Sequence, residues 1–398
     1  MTGLRPLNCI VPPHLLHRLL QNNDPAIREA ALSTVLTTAR LRGEREVRST
    51  LLGATGPAQG RRTVYDCKSR TDLTSALVVR TEDGQASGDT SVNNASDGFG
   101  STRRFYRDVL GRNSIDDRGM RLDGYVHRGV RYNNAFWDGQ EMVFGDGDGV
   151  VFTDFTGSLD VIGHELTHGV TEYTAGLEYH NESGALNESL SDVLGSLVKQ
   201  WSRQETADEA DWLIGPEIFT PDVDADALRS MKDPGSAYDN ETLGKDPQPA
   251  HMRDYVDLPD TDEGDNGGVH INSGIPNHAF YLTATAIGGY AWEAAGHIWY
   301  ESLRASMQTT DFQAFADTTD SKAGELYGPG SSEQMAVRDA WDGVGIQVNT
   351  GLRTPARGKK QRAQRGSAGN GTSPELAKQF AKLVAQVEKI RNELHLPA

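Results

Sequence analysis

The chain has 398 residues, of which 37% are hydrophobic and 24% charged, a composition typical of a globular protein with two or three structural units. The net charge of −17 is uneven, because residues 1–50 carry +3 and residues 351–398 carry +7. The 22 basic and 49 acidic residues between these ends give that body a charge of −27, which argues against nucleic acid as a partner.

The N-terminal segment and the longest apolar runs bear on location. Two prolines and two histidines within residues 12–17 interrupt any apolar signal region, and no stretch approaches the roughly 18 apolar residues of a membrane span. The sequence therefore predicts no signal peptide, no membrane span and a cytoplasmic location at synthesis. It leaves open an export route that needs no signal peptide. Two cysteines, Cys9 and Cys67, are too few for a disulfide scaffold.

The amino-acid composition divides this part of the chain into three consecutive segments. Residues 1 to about 50 are rich in Leu and Arg and predict helices after a double proline, with a helix start at Pro25. The next stretch, EREVRSTLLGATGPAQGRR, indicates an exposed junction. Residues 60–348 form the acidic body, whose first half is rich in Gly, Asn, Asp and aromatic residues and predicts strands and turns. Its second half has longer helical patterns.

The stretch DVIGHELTHGVTEY, which begins at Asp160, is predicted to form a helix with one apolar side. His164 and His168 are four residues apart and share a face, so that two imidazoles can meet one metal ion. Glu165 lies about 100° round the helix, which suits a base more than a ligand. The motif alone also fits a helix that carries two histidines by chance.

A second helical pattern, GALNESLSDVLGSLVKQW, offers two acids on an otherwise apolar helix. A catalytic zinc needs a third protein ligand, and Glu188, 20 residues after His168, is the predicted one. Asp192 lies one turn further on and could accept a hydrogen bond from a zinc-bound histidine. The alternative, two solvated acids on an exposed face, loses weight beside the histidine pair.

The C-terminal region differs from the body. Residues 351–372 are basic and glycine-rich and predict a flexible linker. Residues 373–398 predict an amphipathic helix, which could dock on a partner or on the body itself. Its apolar positions alternate by four and three, over too short a length to argue for a coiled coil: Leu376, Phe380, Leu383, Val387, Ile390 and Leu394.

Several motifs in order and spacing resemble those of the thermolysin-like neutral zinc metalloproteases. They are YNNAFWDGQEMVFGDGDG, LDVIGHELTHGVTEYTAGLEY, SGALNESLSDVLG, ALRSM and DNGGVHINSGIPNHAFYL. The resemblance covers about residues 60–348 and implies an α+β fold of two catalytic lobes with the zinc helix between them. The predicted partition is a β-rich N-terminal lobe over 51–185, including the zinc helix, and a helical C-terminal lobe over 186–350.

The resemblance also implies roles for residues in the matching motifs. One zinc ion would be bound by His164, His168 and Glu188, with Asp192 orienting a histidine. Glu165 would be the general base toward a water activated by zinc. The developing oxyanion would be stabilised by Tyr179 and His270, with Asp265 orienting His270. The substrate backbone would be held by Asn134, Ala135 and Arg229. Outside this context, His270 alone would be interpreted as a structural histidine.

Two further sets of positions concern specificity and calcium. The specificity pocket would be lined by apolar residues that could equally be ordinary core: Phe152, Phe155, Val161, Ile214, Ile218 and Leu228. The pocket implies cleavage before large hydrophobic residues. The family's double calcium site matches Asp160, Lys199, Asp211, Leu213 and Pro216, so that only two acids remain and calcium is not expected there. Lys199 is predicted to lie between Asp160 and Asp211 as an internal cation, the alternative being an exposed lysine.

The first 50 residues resemble the short prosegments of the protealysin branch of this family. The branch has a C-x-x-P-x-x-L pattern, met here by Cys9, Pro12 and Leu15. Residues 1–50 are therefore expected to be an inhibitory prosegment with a junction near Arg48 that blocks the cleft. The Cys9 thiolate could cap the zinc, or the side chain could pack against the body.

The predicted function is that of the zymogen of a zinc-dependent neutral endopeptidase, acting on proteins or peptides and inhibited by its own prosegment. A rival from another class is a catalytically inactive peptide-binding protein of the same fold. A structural metal protein explains the Glu165 base and the oxyanion pair poorly. Hydrolysis after prosegment removal would separate these classes.

Overall fold

The structure is a computed structural model that describes residues 8–51 and 61–349, with the side chains of residues 9–41 and 61–349. The predicted linker over 351–372 and the predicted helix over 373–398 lie outside the described residues, as do residues 52–60 of the predicted junction. Among the described residues, no helix is long and apolar enough to cross a membrane.

A mixed six-stranded sheet forms the first part of the molecule. Its strands are β1 (Asn8–Cys9), β2 (Arg62–Asp66), β3 (Leu77–Thr81), β4 (Leu122–Val126), β5 (Ala135–Trp137) and β6 (Glu141–Phe144). They are ordered β1-β5-β6-β4-β2-β3, with β2, β4 and β6 parallel and the other pairs antiparallel. Two small antiparallel pairs lie elsewhere: β7 (Leu213–Ile214) with β8 (Arg229–Ser230), and β9 (Asp239–Asn240) with β10 (Gly244–Lys245).

Helices dominate the second part. The N-terminal segment contains α1 (Pro13–Leu19) and α2 (Pro25–Leu51), and the sheet-rich part contains α3 (Thr90–Asp108). The remaining helices are α4 (Leu159–Glu172), α5 (Asn181–Arg203), α6 (Asp265–Asn272), α7 (Gly274–Ile287), α8 (Ala294–Ala305), α9 (Phe312–Tyr327) and α10 (Ser332–Gly343). The α+β class, with a sheet-rich first part and a helical second part, is confirmed. The lobe boundary predicted between residues 185 and 186 falls inside α5.

Helices α4 and α5 pack unusually closely at two glycines. A Cβ atom on Gly163 of α4 would lie 2.9 Å from the Gly195 Cα of α5, and one on Gly195 would lie 2.6 Å from the Asp160 carbonyl oxygen. Only glycine permits backbones to approach so closely at these positions. This approach brings the buried polar side chains of the two helices within contact distance.

Candidate metal centre

Three buried side chains from α4 and α5 converge on one point. The Nε2 atoms of His164 and His168 lie 3.0 Å apart. Glu188 Oε2 lies 3.6 Å from the first of these nitrogens, and Glu188 Oε1 lies 3.5 Å from the second. Two zinc ligands at 2.0–2.1 Å and a tetrahedral angle would be roughly 3.3 Å apart, so the spacing fits one zinc ion. Among the described residues, these three are the one group that could hold a metal ion.

The outer ring nitrogens of both histidines are fixed by hydrogen bonds. His164 Nδ1 donates to Asp192 Oδ1 at 2.8 Å, as predicted, and His168 Nδ1 donates to Asn187 Oδ1 at 2.8 Å. These bonds place a proton on Nδ1 and leave the Nε2 lone pair for a metal. Burial lowers the pKa of His168 to about 3, so its imidazole is neutral at neutral pH, as a metal ligand must be.

The Asp192 carboxylate is saturated with donors. Arg229 donates from Nη2 to Oδ1 at 2.7 Å and from Nε to Oδ2 at 2.8 Å, and Asn277 Nδ2 donates to Oδ2 at 2.8 Å. Burial alone would raise the pKa of Asp192, but Arg229 and His164 outweigh it and hold the pKa well below its usual value. Asp192 therefore stays ionised and connects the His164 ring with Arg229.

Sequence reasoning missed the two asparagines of this network. Asn187 and Asn277 are both buried and polar within apolar stretches of α5 and α7. A buried amide needs hydrogen-bond partners, so a polar residue inside an apolar helical face was the signal available. The partners themselves belong to other helices, and spacing along one helix does not reveal them.

Glu165 is buried beside the ligand set. Its Oε2 atom accepts a hydrogen bond from the Trp137 N–H of β5 at 3.0 Å. Burial, and then the negative charge of Glu188, raise the pKa of Glu165 well above its usual value, while the N–H groups of Trp137 and Ile10 partly oppose the shift. A carboxylate with a raised pKa is suited to accepting and returning a proton.

Tyr179 and His270 stand on the other side of the ligand set. The Tyr179 hydroxyl donates to Glu188 Oε1 and lies 3.3 Å from His270 Nε2. Asp265 Oδ1 lies 2.5 Å from His270 Nδ1. Burial alone would lower the pKa of His270, but the charges of Asp265 and Glu188 raise it to about 9, so the ring is a cationic donor at neutral pH.

Residues 9–11 lie in the cleft beside these groups. The segment continues β1, which pairs antiparallel with β5. Ile10 N donates to the Ala135 carbonyl at 3.2 Å, and Val11 N donates to Asn134 Oδ1 at 3.0 Å. The Ile10 carbonyl accepts from Arg229 Nη1 at 3.3 Å. The three residues predicted to hold a substrate backbone therefore all hydrogen-bond to the chain's own N-terminal segment.

The six predicted pocket residues are all buried in one continuous apolar cluster, which also contains Ile10. The Phe152 and Phe155 rings are 5.6 Å apart, and a Cβ atom on Gly215 would lie 3.4 Å from Val161 Cγ2 and 3.3 Å from Ile218 Cδ1. These contacts bring the pocket positions together around an apolar space. An ordinary hydrophobic core would show the same contacts, so the assignment of these residues to a specificity pocket stays a prediction.

The three motif residues of the N-terminal segment occupy different environments. Pro12 precedes the first turn of α1, and Leu15 is buried in the main apolar cluster. The Cys9 side chain packs in a second cluster with members of the sheet, including Cys67 and Phe136. The candidate metal group among the described residues does not include Cys9, and a cap on zinc by its thiolate stays a prediction.

Lys199 occupies the interior at the calcium-related positions. Its Nζ atom donates to Asp160 Oδ2 at 2.7 Å and to the Leu213 carbonyl at 2.8 Å, and lies 2.9 Å from Asp211 Oδ1. Burial alone would lower the pKa of Lys199, but Asp160 and Asp211 raise it, so the ammonium stays charged. The alternative of an exposed lysine is wrong, because this side chain is 1% exposed.

Comparisons with known proteins define the class of this protein. The model of the thermolysin metallopeptidase catalytic domain matches residues 54–172, and that of the thermolysin metallopeptidase alpha-helical domain matches residues 175–346. The chain therefore belongs to the thermolysin family of metallopeptidases and is a metalloprotease. The resemblance found in the sequence is confirmed.

Individual relatives cover most of the chain. It is 45% identical over 346 residues to an extracellular metalloprotease of Pectobacterium carotovorum subsp. carotovorum, covering 86% of this chain and 98% of that protein. It is 45% identical over 346 residues to protease PrtS of a Photorhabdus strain, covering 85% and 92%. A solved precursor of protealysin from Serratia proteamaculans superposes with a TM-score of 0.76 at 46% identity, covering 85% of this chain and 99% of that one.

Proposed function

We propose that this metalloprotease is the zymogen of a zinc-dependent neutral endopeptidase that cleaves peptide bonds on the N-terminal side of large hydrophobic residues. One observation carries the proposal: β1 and Ile10 pair with β5, and the Cys9 carbonyl contacts His270 beside the buried group of His164, His168 and Glu188. The likeness to a protealysin precursor supports the zymogen assignment. The prosegment would inhibit by occupying the position of a substrate.

The residues present fit a catalytic zinc, and other residues of the site would transfer the proton and stabilise the oxyanion. Zinc held by His164, His168 and Glu188 would supply Lewis-acid chemistry and lower the pKa of a water molecule from 15.7 to about 7. Glu165 would take the proton from that water and return it to the leaving nitrogen. The Tyr179 hydroxyl and the cationic His270 ring would donate hydrogen bonds to the oxygen on which negative charge develops.

Specificity would follow from the apolar pocket positions, which share one buried cluster with Ile10. Ile10 is fully buried there, and its side chain shows the size and polarity that the space accepts. A charged side chain would lose its hydration without finding a partner among the six apolar residues. Aliphatic residues of different size after the scissile bond should differ less in cleavage rate than apolar and charged residues do, because one methylene in a pocket is worth about 1–3 kcal/mol.

The experiment combines mass spectrometry, metal analysis and peptide hydrolysis on one preparation. The purified chain is loaded with zinc, incubated, and supplied with peptides that carry Leu, Phe or Asp after the scissile bond. We expect loss of the prosegment, one bound zinc, and cleavage before Leu and Phe far faster than before Asp. An inactive peptide-binding protein would hold zinc and peptides without hydrolysing them, and a preference for Asp would contradict the pocket assignment.

A further inference from the structure

We infer that the first substrate of this protease is its own Cys9–Ile10 peptide bond, hydrolysed within the same molecule. The inference rests on the proposed function and adds a defined substrate to it. It also separates an early cut inside the prosegment from the removal of the prosegment at the junction near Arg48.

The register of the N-terminal strand is set by backbone pairing. Asn8 lies opposite Trp137 and Cys9 opposite Phe136 in the antiparallel pair of β1 and β5. The pairing continues past the strand through the Ile10 N–H to the Ala135 carbonyl. A strand added to a sheet edge cannot slip by one residue without turning each side chain to the other face. Here a slip would remove Ile10 from the apolar cluster.

One peptide bond of this strand faces the candidate metal centre at both of its ends. The Cys9 carbonyl oxygen accepts a hydrogen bond from His270 Nε2 at 3.1 Å. The Ile10 N–H on the other side of the same bond donates to the Ala135 carbonyl at 3.2 Å and lies near the Glu165 carboxylate. The His270 ring thus meets the oxygen that would gain charge, and Glu165 lies on the side of the nitrogen that must gain a proton.

The following peptide bond is held away from this chemistry. The Ile10 carbonyl accepts from Arg229, whose other nitrogens are bound to Asp192. The Val11 N–H donates to Asn134. Neither atom of the Ile10–Val11 bond has a described contact with Glu165 or His270, so this register selects the bond before Ile10.

The reaction is a hydrolysis that consumes one water molecule. The C–N bond between Cys9 and Ile10 breaks, the hydroxyl of water joins the Cys9 carbonyl carbon, and the proton passes through Glu165 to the Ile10 nitrogen. The products are a nine-residue peptide ending in a Cys9 carboxylate and a chain that begins at Ile10.

The cut would nick the precursor without releasing the remaining prosegment. Behind Ile10, the His14 ring is hydrogen-bonded to the Tyr238 hydroxyl at 3.1 Å, and Arg18 donates to the Glu241 carbonyl at 2.9 Å. Helix α2 adds a bond of 3.1 Å between the hydroxyls of Thr38 and Tyr132. These contacts do not involve residues 1–9, so residue 10 and the helices should stay docked after the cut.

The test follows the intact mass of the full-length chain after zinc is added to a zinc-free preparation. We expect loss of the nine-residue peptide with a first-order rate that does not depend on protein concentration. Glu165→Ala chains should stay intact, including when they are mixed with wild type, because each buries its own bond. Cleavage of the Glu165→Ala chain in that mixture would overturn the cut within one molecule.

Two variants of Ile10 and a control refine the test. Ile10→Val removes one methylene and should slow the cut by about 10- to 200-fold, whereas Ile10→Asp should slow it more than Ile10→Val does. Arg18→Ala weakens docking at a distance from the strand and should leave the site of the cut unchanged. The inference fails, and the proposed function stands, if trypsin-treated protein hydrolyses a Leu peptide while zinc-loaded full chain keeps Cys9–Ile10 intact. Absence of both reactions overturns both.

Discussion

Helices α4 and α5 carry two buried charged sites that are balanced in different ways. In the first, Glu188 faces two histidines, and its Oε2 atom has no hydrogen-bond partner among the described residues. In the second, Lys199 bridges Asp160 and Asp211 with an ammonium that the chain itself supplies. A buried carboxylate needs a counter-charge. At the first site His270 contributes part of it and a metal ion from outside would complete it, whereas the chain supplies the whole cation at the second site.

The largest expected effect concerns the base at the first site. Glu165→Ala should lower peptide hydrolysis by about 100- to 10,000-fold, the usual contribution of a general base, and should leave the three metal ligands in place. Zinc content and hydrolysis are measured on the same prosegment-free sample. Hydrolysis near the wild-type rate would show that another group acts as the base.

The internal cation should matter for stability more than for hydrolysis. Lys199→Ala leaves the buried Asp160 carboxylate without its cation, and breaking a buried pair in this way costs about 3–5 kcal/mol of unfolding free energy. Lys322→Ala is the matched control, because Lys322 pairs with Glu325 on the surface, where such a pair is worth about 0–1 kcal/mol. Equal losses in denaturant unfolding of the two variants would refute the bridging role.

The effect of added calcium on the melting temperature tests the same site. A divalent ion needs six to eight oxygen ligands and would compete with the Lys199 ammonium for the two acids. We therefore expect millimolar calcium to leave the melting temperature of the wild type unchanged. An ion present at 100 times its dissociation constant would add about 2.7 kcal/mol, which a melting curve detects readily. A rise in the wild type that Lys199→Ala does not alter would locate calcium elsewhere.

The hydrogen bonds behind the first site should have an intermediate effect. Asp192→Asn and Asn277→Ala each remove part of the support of the His164 ring and should weaken zinc binding roughly 10- to 100-fold. Asn272→Ala is the control, because its amide binds only the Val256 backbone. Competition with a chelator measures the affinities, and equal affinity in Asn277→Ala and wild type would limit Asn277 to a structural role.

Much of the metal site could be predicted from the sequence, because its members lie on two helices at regular spacing. His164, His168, Glu188 and Asp192 follow from the four-residue repeat of a helix and from charges inside apolar patterns. Asn277 could not be found in this way, since its contact with Asp192 joins residues 85 positions apart. The position of Lys199 between two acids could be predicted only because the family resemblance shows which acids of the calcium site are replaced in this chain.

The fold was less predictable where tertiary packing overrides local preference. Helix α3 contains two asparagines and two glycines within its first eleven residues and lies in a region predicted to form strands and turns. Asp89 caps the helix, and Gly98 allows Ile162 to approach, since a Cβ atom there would lie 2.5 Å from Ile162 Cδ1. Contact with α4 thus stabilises a helix that its own sequence favours weakly. The pairing of β1 with β5 likewise joins segments that are far apart in sequence.

The last expected effect is a pH dependence that arises from His14, a partly buried ring of the N-terminal segment. His14 is hydrogen-bonded to Tyr238 through Nε2, and its Nδ1 atom has no partner among the described residues. Burial lowers its pKa from 6.5 to about 4. Asp265 opposes this shift, whereas charges on His270, Arg229 and His17 add to it.

Because the pKa of His14 is lower in the docked N-terminal segment, docking is fully stabilised above pH 6.5 and weakens as the pH falls toward 4. Between pH 7 and pH 5, the fraction of chains with an undocked N-terminal segment should rise roughly 20-fold through this group alone. Hydrogen exchange in α1 of the zinc-free Glu165→Ala chain measures the undocking without interference from proteolysis. His14→Gln keeps a neutral polar side chain and should remove most of this pH dependence, while His17→Gln, at an exposed position, should preserve it. If both variants respond to acid as the parent chain does, the acid sensitivity of the prosegment arises from carboxylates elsewhere in the interface.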